Sequence, residues 1–178
     1  MLIQITGLPR SGTAFLSAFL SLHPECIAYH ELVNYEDNYR LVLTDALKRY
    51  PYVVDCSTYG YLDGCVYQES KKVLIQRPMQ ESLRRSEVVM GAVIAIEKYE
   101  ELVEKIEEWT ENNDVLTVDF SRLFTPTALS RIWEFCFGSS DYFSREKAEL
   151  FCRLNIQMQA PQQLYNQKNI ERILTQIV

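Results

Sequence analysis

Leu2-Ile3-Gln4-Ile5-Thr6-Gly7-Leu8-Pro9-Arg10-Ser11-Gly12-Thr13 opens the chain, and its reading decides the fold. Residues 2–6 are short and mostly apolar, which predicts a strand. Residues 13–22 carry Phe15, Leu16, Phe19, Leu20 and Leu22 on one broad apolar face, which predicts a helix. His23-Pro24 stops it, because proline disfavours helical geometry in the residue before it. Between strand and helix lies a turn bounded by Gly7 and Gly12. A helix N-terminus offers unpaired N–H groups and a partial positive charge. Arg10 adds a full charge on a fixed fork of donors, and Ser11 and Thr13 add hydroxyls. The stretch predicts a phosphate cradle. The plainer reading of the same residues is a tight turn carrying a surface arginine.

Outward from this unit the alternation continues. Residues 26–29, 52–55, 72–76 and 115–120 read as strands. Val73-Leu74-Ile75 is a continuous apolar run, as in strands buried on both faces of a parallel sheet. Residues 36–49, 79–110, 127–137, 144–155 and 168–178 read as helices, with a break at Gly91. Alternating strands and helices predict a three-layer α/β/α domain around a central parallel sheet of four to five strands. The expected organisation is one domain over residues 1–178 with a helical C-terminal segment, about 127–178. Ligands of such sheets bind beyond the carboxyl ends of the strands. That rule singles out Gly7 to Thr13, His30-Glu31, Asp55 to Thr58, Arg77 to Ser86 and Asp119 to Arg122.

Composition narrows the function classes. The 178 residues carry a formal net charge of −6 and a pI of about 5.0, which disfavours bulk attraction to nucleic acid or an anionic membrane. No apolar run approaches the roughly 18 residues of a membrane span. The five cysteines are Cys26, Cys56, Cys65, Cys136 and Cys152. None has CxxC spacing, so neither a zinc site nor a disulfide framework is indicated. They predict reduced, mostly buried thiols and a cytoplasmic protein. Against the acidic background, Lys71, Lys72, Arg77, Arg84 and Arg85 place five of the 18 basic residues within fifteen positions. They form either a local positive patch or a solvated helix face paired with Glu81 and Glu87.

The loop is not a Walker A motif, since Gly12 stands where that pattern has its lysine. The lysine acts on the transferring phosphate. Its absence argues against γ-phosphoryl transfer but not against holding the 5′-phosphate of a nucleotide.

Thr6-Gly7-Leu8-Pro9-Arg10-Ser11-Gly12-Thr13 resembles the 5′-phosphosulfate loop of the sulfotransferases, commonly PRSGT or PKSGT. Leu20-Ser21-Leu22-His23-Pro24 resembles the family's helix end, and Glu31 follows eight residues after His23. Val115 to Leu123 resembles the strand "vl.vryEdL", and Ile132 to Gly138 the segment after it. In motif style the chain is closest to the tyrosylprotein and heparan enzymes. The resemblance implies a P-loop type fold. It also implies transfer of a sulfuryl group from 3′-phosphoadenosine 5′-phosphosulfate (PAPS) to a hydroxyl or amine, with no metal.

Carried onto this sequence, the family's cofactor loop is Pro9, Arg10, Ser11, Gly12, Thr13 and Ala14, where Ala14 replaces a frequent second threonine. Arg10 also stabilises charge in the transfer. Glu31 is the implied base, with His30 its substitute. Arg77 is implied to bind the 3′-phosphate, with Ser86, ahead of Ser82, as the accompanying serine, and Arg85 as an additional charge. Tyr29, Tyr35, Tyr59 and Tyr61 either line an acceptor pocket or are half-buried in the fold. The chain is short beside typical members. The acceptor site is therefore minimal, or completed by another subunit of a homo-oligomer, or no longer used. Two other readings are a magnesium-dependent P-loop kinase using Asp55 or Asp119, and a nucleotide-binding protein without turnover.

Overall fold

The computed structural model describes residues 1–32, 36–58, 70–90, 96–155 and 164–176. In chain order the elements are β1 (Leu2–Gly7), α1 (Thr13–Leu20), β2 (Cys26–His30), α2 (Tyr39–Arg49), β3 (Tyr52–Cys56) and β4 (Ser70–Gln76). They continue with α3 (Met79–Met90), α4 (Ile96–Glu111), β5 (Val115–Asp119), α5 (Phe120–Leu123), α6 (Pro126–Phe137) and α7 (Arg145–Phe151). The last are β6 (Leu164–Asn166) and α8 (Gln167–Leu174). The expected helix over 79–110 is two helices, and Gly91 lies outside the described residues.

The strands form one sheet in the order β5-β4-β1-β3-β2-β6. The first five are parallel, while β6 runs antiparallel to β2 with Tyr165 opposite Ala28. The five parallel strands match the expected parallel sheet, and β6 adds to it a sixth, antiparallel strand from within the segment expected to be helical. The three residues of β6 are too short for a period to show in the sequence. Their alternation is nevertheless that of an edge strand, with Tyr165 buried and Leu164 40% exposed.

Alternation along the inner strands divides the core between two faces. Ile3, Ile5, Val54, Cys56, Val73 and Ile75 pack with Phe15 and Phe19 of α1, Trp133 of α6, Phe151 of α7 and Ile170 of α8. On the other face Leu2, Ile27 and Val53 meet Leu43 and Ala46 of α2. Leu8 and Leu74 meet Tyr99, Leu102, Ile106 and Trp109 of α4. Helices therefore cover both faces of the sheet. His23 belongs to the first core: its ring stacks on Phe137 at 4.4 Å and its Nδ1 accepts the Glu25 N–H at 3.2 Å. It is a packing residue of the helix stop, as its place beside Pro24 predicts. Among the described residues no helix is long and apolar enough to cross a membrane.

The strand order also locates the crevice. The connection after β1 runs through α1 toward β2, whereas the one after β4 runs through α3 and α4 to β5. β1 and β4 are neighbours, and their exits diverge onto opposite faces. Such a switch point opens a cleft at the carboxyl ends of the two strands. It lies between the loop 7–13 and Arg77.

Candidate functional site

The loop after β1 has two residues in the left-handed region, Arg10 at φ 67 and Gly12 at φ 90. Ser11 between them is not left-handed. The Ser11 N–H closes the turn on the Leu8 carbonyl at 3.1 Å. Gly12 caps α1, whose first turn contains no acid to cancel the positive helix end. Both bounding glycines are required sterically. A Cβ on Gly7 would lie 2.6 Å from the Ile75 carbonyl oxygen, and one on Gly12 would lie 2.8 Å from Leu123 Cδ2. Ser11 is fully buried, and its hydroxyl has no hydrogen-bond partner in the fold. A buried hydroxyl without a partner is costly, so its place inside the loop suits a ligand oxygen. Thr13 is buried directly behind it, and Thr13 and Ser17 both approach the Cys56 sulfur. Ala14 is buried in the core.

On the β4 side, Arg77 leaves the strand end and donates from Nη1 to the Arg10 carbonyl. Its guanidinium lies 4.0 Å from the centre of the Phe120 ring, and its Nε lies 3.7 Å from Glu81. Ser82, fully buried in the first turns of α3, donates its hydroxyl to the Pro9 carbonyl. Ser86, one turn further, is also fully buried, and its hydroxyl accepts from Tyr99 at 2.7 Å. Of the two serines it is therefore Ser82 that touches the loop, while Ser86 is bonded to α4. Burial, followed by the charges of Arg85 and Arg77, pushes the Arg10 guanidinium below its ordinary value. Arg85 and Arg77 thus stand near enough to Arg10 for their charges to act on it, in an acidic protein.

On the β2 side, Glu31 follows the last residue of the strand at φ 56. Its N–H donates to the Cys56 carbonyl at 2.6 Å. Its Oε1 accepts the Thr58 N–H at 3.1 Å and the Thr58 hydroxyl at 3.0 Å. A carboxylate oxygen with two donors is held in one orientation. His30 is pushed down to about 4, first by burial and then by the charge of Arg10, so its imidazole is neutral at pH 7. Burial, with the Glu31 charge second, pushes the Cys56 thiol up, which leaves it an inert, protonated neighbour.

The remaining candidates divide. Asp55, the next-to-last residue of β3, is buried beside Gln4 and Tyr29 in the sheet register, on the face away from α1. Asp119 caps α5, accepting the Ser121 N–H at 2.7 Å and its hydroxyl at 2.6 Å. Tyr29 is half-buried, and burial pushes its phenol up. Tyr35, Tyr59, Tyr61 and Cys65 lie outside the described residues. The other four cysteines are free thiols. Among the described residues no cluster of three or more His, Cys, Asp or Glu can hold a metal.

A cavity of about 770 Å³ adjoins the loop between β4, β5, α4 and α5. Leu8, Ile106 and Phe120 form its apolar wall, and its polar wall holds Arg77 together with the carboxyl side chains of Glu81, Glu107, Glu111 and Asp119. Sequence reasoning missed Ser82's bond to the loop and the Thr58 clamp on Glu31. Both lie in segments that the strand-end rule selected, but which serine or threonine faces inward depends on helix phase and on a two-residue turn. No protein-family model and no curated protein matches the chain.

Proposed function

We propose that the protein is a sulfotransferase-like enzyme of P-loop type that transfers a sulfuryl group from PAPS to a hydroxyl or amine acceptor. The observation that carries this reading is Arg10 in the left-handed loop that caps α1, its carbonyl bonded by Arg77, in a chain of net charge −6. A cradle of fixed positive groups of this kind binds a polyanion without a metal.

PAPS, when bound, supplies an activated sulfuryl group. In this reading Arg10, Ser11, Gly12, Thr13 and the N-terminus of α1 hold the 5′-phosphosulfate. Arg10 stabilises the charge that builds on the departing oxygen. Glu31 takes the acceptor's proton as the new bond to sulfur forms. His30 is neutral at pH 7 and is the substitute base. The cavity beside Arg77 has the size and the mixed wall for a nucleoside. The kinase alternative lacks the Walker A lysine, Asp119 is engaged with Ser121, and Asp55 lies on the face away from α1. A cytoplasmic location accompanies the proposal, supported by the free thiols.

Calorimetric titration with adenosine 3′,5′-bisphosphate, beside AMP and ATP and without magnesium, tests the reading. Tight binding of the bisphosphate that R10A weakens by about tenfold or more is the expected result. No preference for the bisphosphate over AMP would leave the fold standing and remove the cofactor.

A further inference from the structure

Two bonds from one side of the crevice end on consecutive residues of the loop. Ser82 donates to the carbonyl of Pro9, and Arg77 donates to the carbonyl of Arg10. These carbonyls belong to the two peptide groups that flank the Arg10 Cα. Each peptide is planar, with its N–H opposed to its C=O. Fixing both carbonyls therefore fixes both planes, and with them the rotation of the backbone about Arg10.

The donors are themselves immobile. Ser82 is fully buried, and its own N–H bonds the Pro78 carbonyl at 3.1 Å. Arg77 is held by Phe120 and Glu81, and its side chain is only 13% exposed. The direction that results is one arginine does not choose unaided. A left-handed backbone at a residue other than glycine is disfavoured and persists where its surroundings over-determine it. The peptide after Arg10 is also fixed from its far end, since the Ser11 N–H bonds the Leu8 carbonyl at 3.1 Å.

We propose that Ser82 and Arg77 are positioning residues that clamp the two peptide groups around Arg10 and so aim its guanidinium into the cradle. Arg77 then serves an anion through the loop rather than as a direct ligand of a second phosphate. The inference rests on the cradle of the proposed function and adds how that cradle is kept open.

The test is a set of binding cycles in the full chain, with AMP and adenosine 3′,5′-bisphosphate as probes. S82A and R77A are each made alone and in the R10A background, with the melting temperature as a check on folding. The expected result is that S82A and R77A weaken both nucleotides by the same factor, about tenfold for the loss of one buried bond, and have no further effect once Arg10 is gone. Loss confined to the bisphosphate in R77A would make Arg77 a direct phosphate ligand and overturn the proposal. An undiminished effect of S82A in the R10A background would overturn it as well.

A second readout needs no ligand. Amide exchange of Ser11 in the free protein is expected to quicken about tenfold in S82A as the turn loosens. Unchanged exchange would overturn the clamp even if neither nucleotide bound, whereas quickened exchange without nucleotide binding would remove only the cofactor reading.

Discussion

The Glu31 carboxylate places a single oxygen, Oε1, between the backbone N–H and the side-chain hydroxyl of Thr58. The two residues stand just beyond β2 and β3, adjacent parallel strands whose last register pair is His30 and Cys56. The Glu31 N–H returns to the Cys56 carbonyl, so the two strand ends are joined by three bonds. This lacing holds Glu31 in a left-handed backbone, and it leaves the base proposed for the reaction with a preset orientation.

Thr58→Val keeps the shape of the side chain and removes one of the two donors. Hydrogen bonds to the charged form of a carboxyl favour that form. Glu31 should therefore titrate higher in T58V than in wild type, read from the carboxyl carbon signal in NMR. Cys56, Asp55, His30 and Arg10 are titratable groups in this corner, and none is altered by the substitution. T58S should titrate as wild type. Equal midpoints in T58V and wild type would mean that the backbone N–H alone holds the carboxylate.

Glu31→Gln preserves an acceptor for Thr58 but cannot take a proton. Bisphosphate affinity should change less than about twofold, while transfer from PAPS across a panel of hydroxyl and amine acceptors falls by about 10² or more. Full turnover in E31Q would move the base elsewhere, with neutral His30 the nearest alternative.

Gly12 and Gly138 make a matched pair, with φ of 90 and 76. A Cβ on Gly138 meets nothing within 4 Å, whereas one on Gly12 runs into Leu123. G138A should cost about 1 kcal/mol, the backbone penalty alone. G12A should cost about 2–3 kcal/mol, because α5 must also shift. Thermal melts should separate them by several degrees, on the order of 2–4 °C per kcal/mol in a chain of this size. Equal melting temperatures would show that α5 yields freely to the loop.

His30 makes the fold acid-sensitive. Its ordinary value is near 6.5 and its folded value about 4, so the unfolded chain binds the extra proton between these limits. Stability is then full above about 6.5 and declines as the pH falls toward 4. His23, also pushed down by burial, acts with the same sign. Replacing His30 with Gln should flatten the decline between pH 7 and 4.5 by about 2 kcal/mol, after allowance for partial exposure. Urea unfolding at the two pH values measures it, and an unchanged decline would show that His30 does not contribute.

Five of the six strands could be placed from the sequence because each is an apolar run bounded by a proline, a glycine or a charged turn. The turn at Gly7–Gly12 was legible for a related reason: few functions need two glycines, a proline and an arginine between a strand and a helix. What escaped detection had no local signal. β6 is three residues long, and its partner β2 is distant in sequence. Phe120, expected to end the strand, instead opens α5. Asp119 is the helix-cap or hydrogen-bonding residue that its type suggests, since the aspartate satisfies the Ser121 N–H and ends the ladder there. The choice of Ser82 over Ser86 as the loop's partner is set by helix phase. One turn of α3 separates a residue that looks at Pro9 from one that looks at Tyr99.

The antiparallel strand β6 also fixes a schedule for the chain's birth. β2 leaves the ribosome well ahead of residues 164–166, which cover its outer edge. Until they are made, that edge carries a row of unpaired peptide groups, the kind of surface on which chains adhere to one another. Nascent chains halted before Leu164 should therefore aggregate more readily than those halted after α8, so β6 acts as a late-arriving guard of the sheet edge.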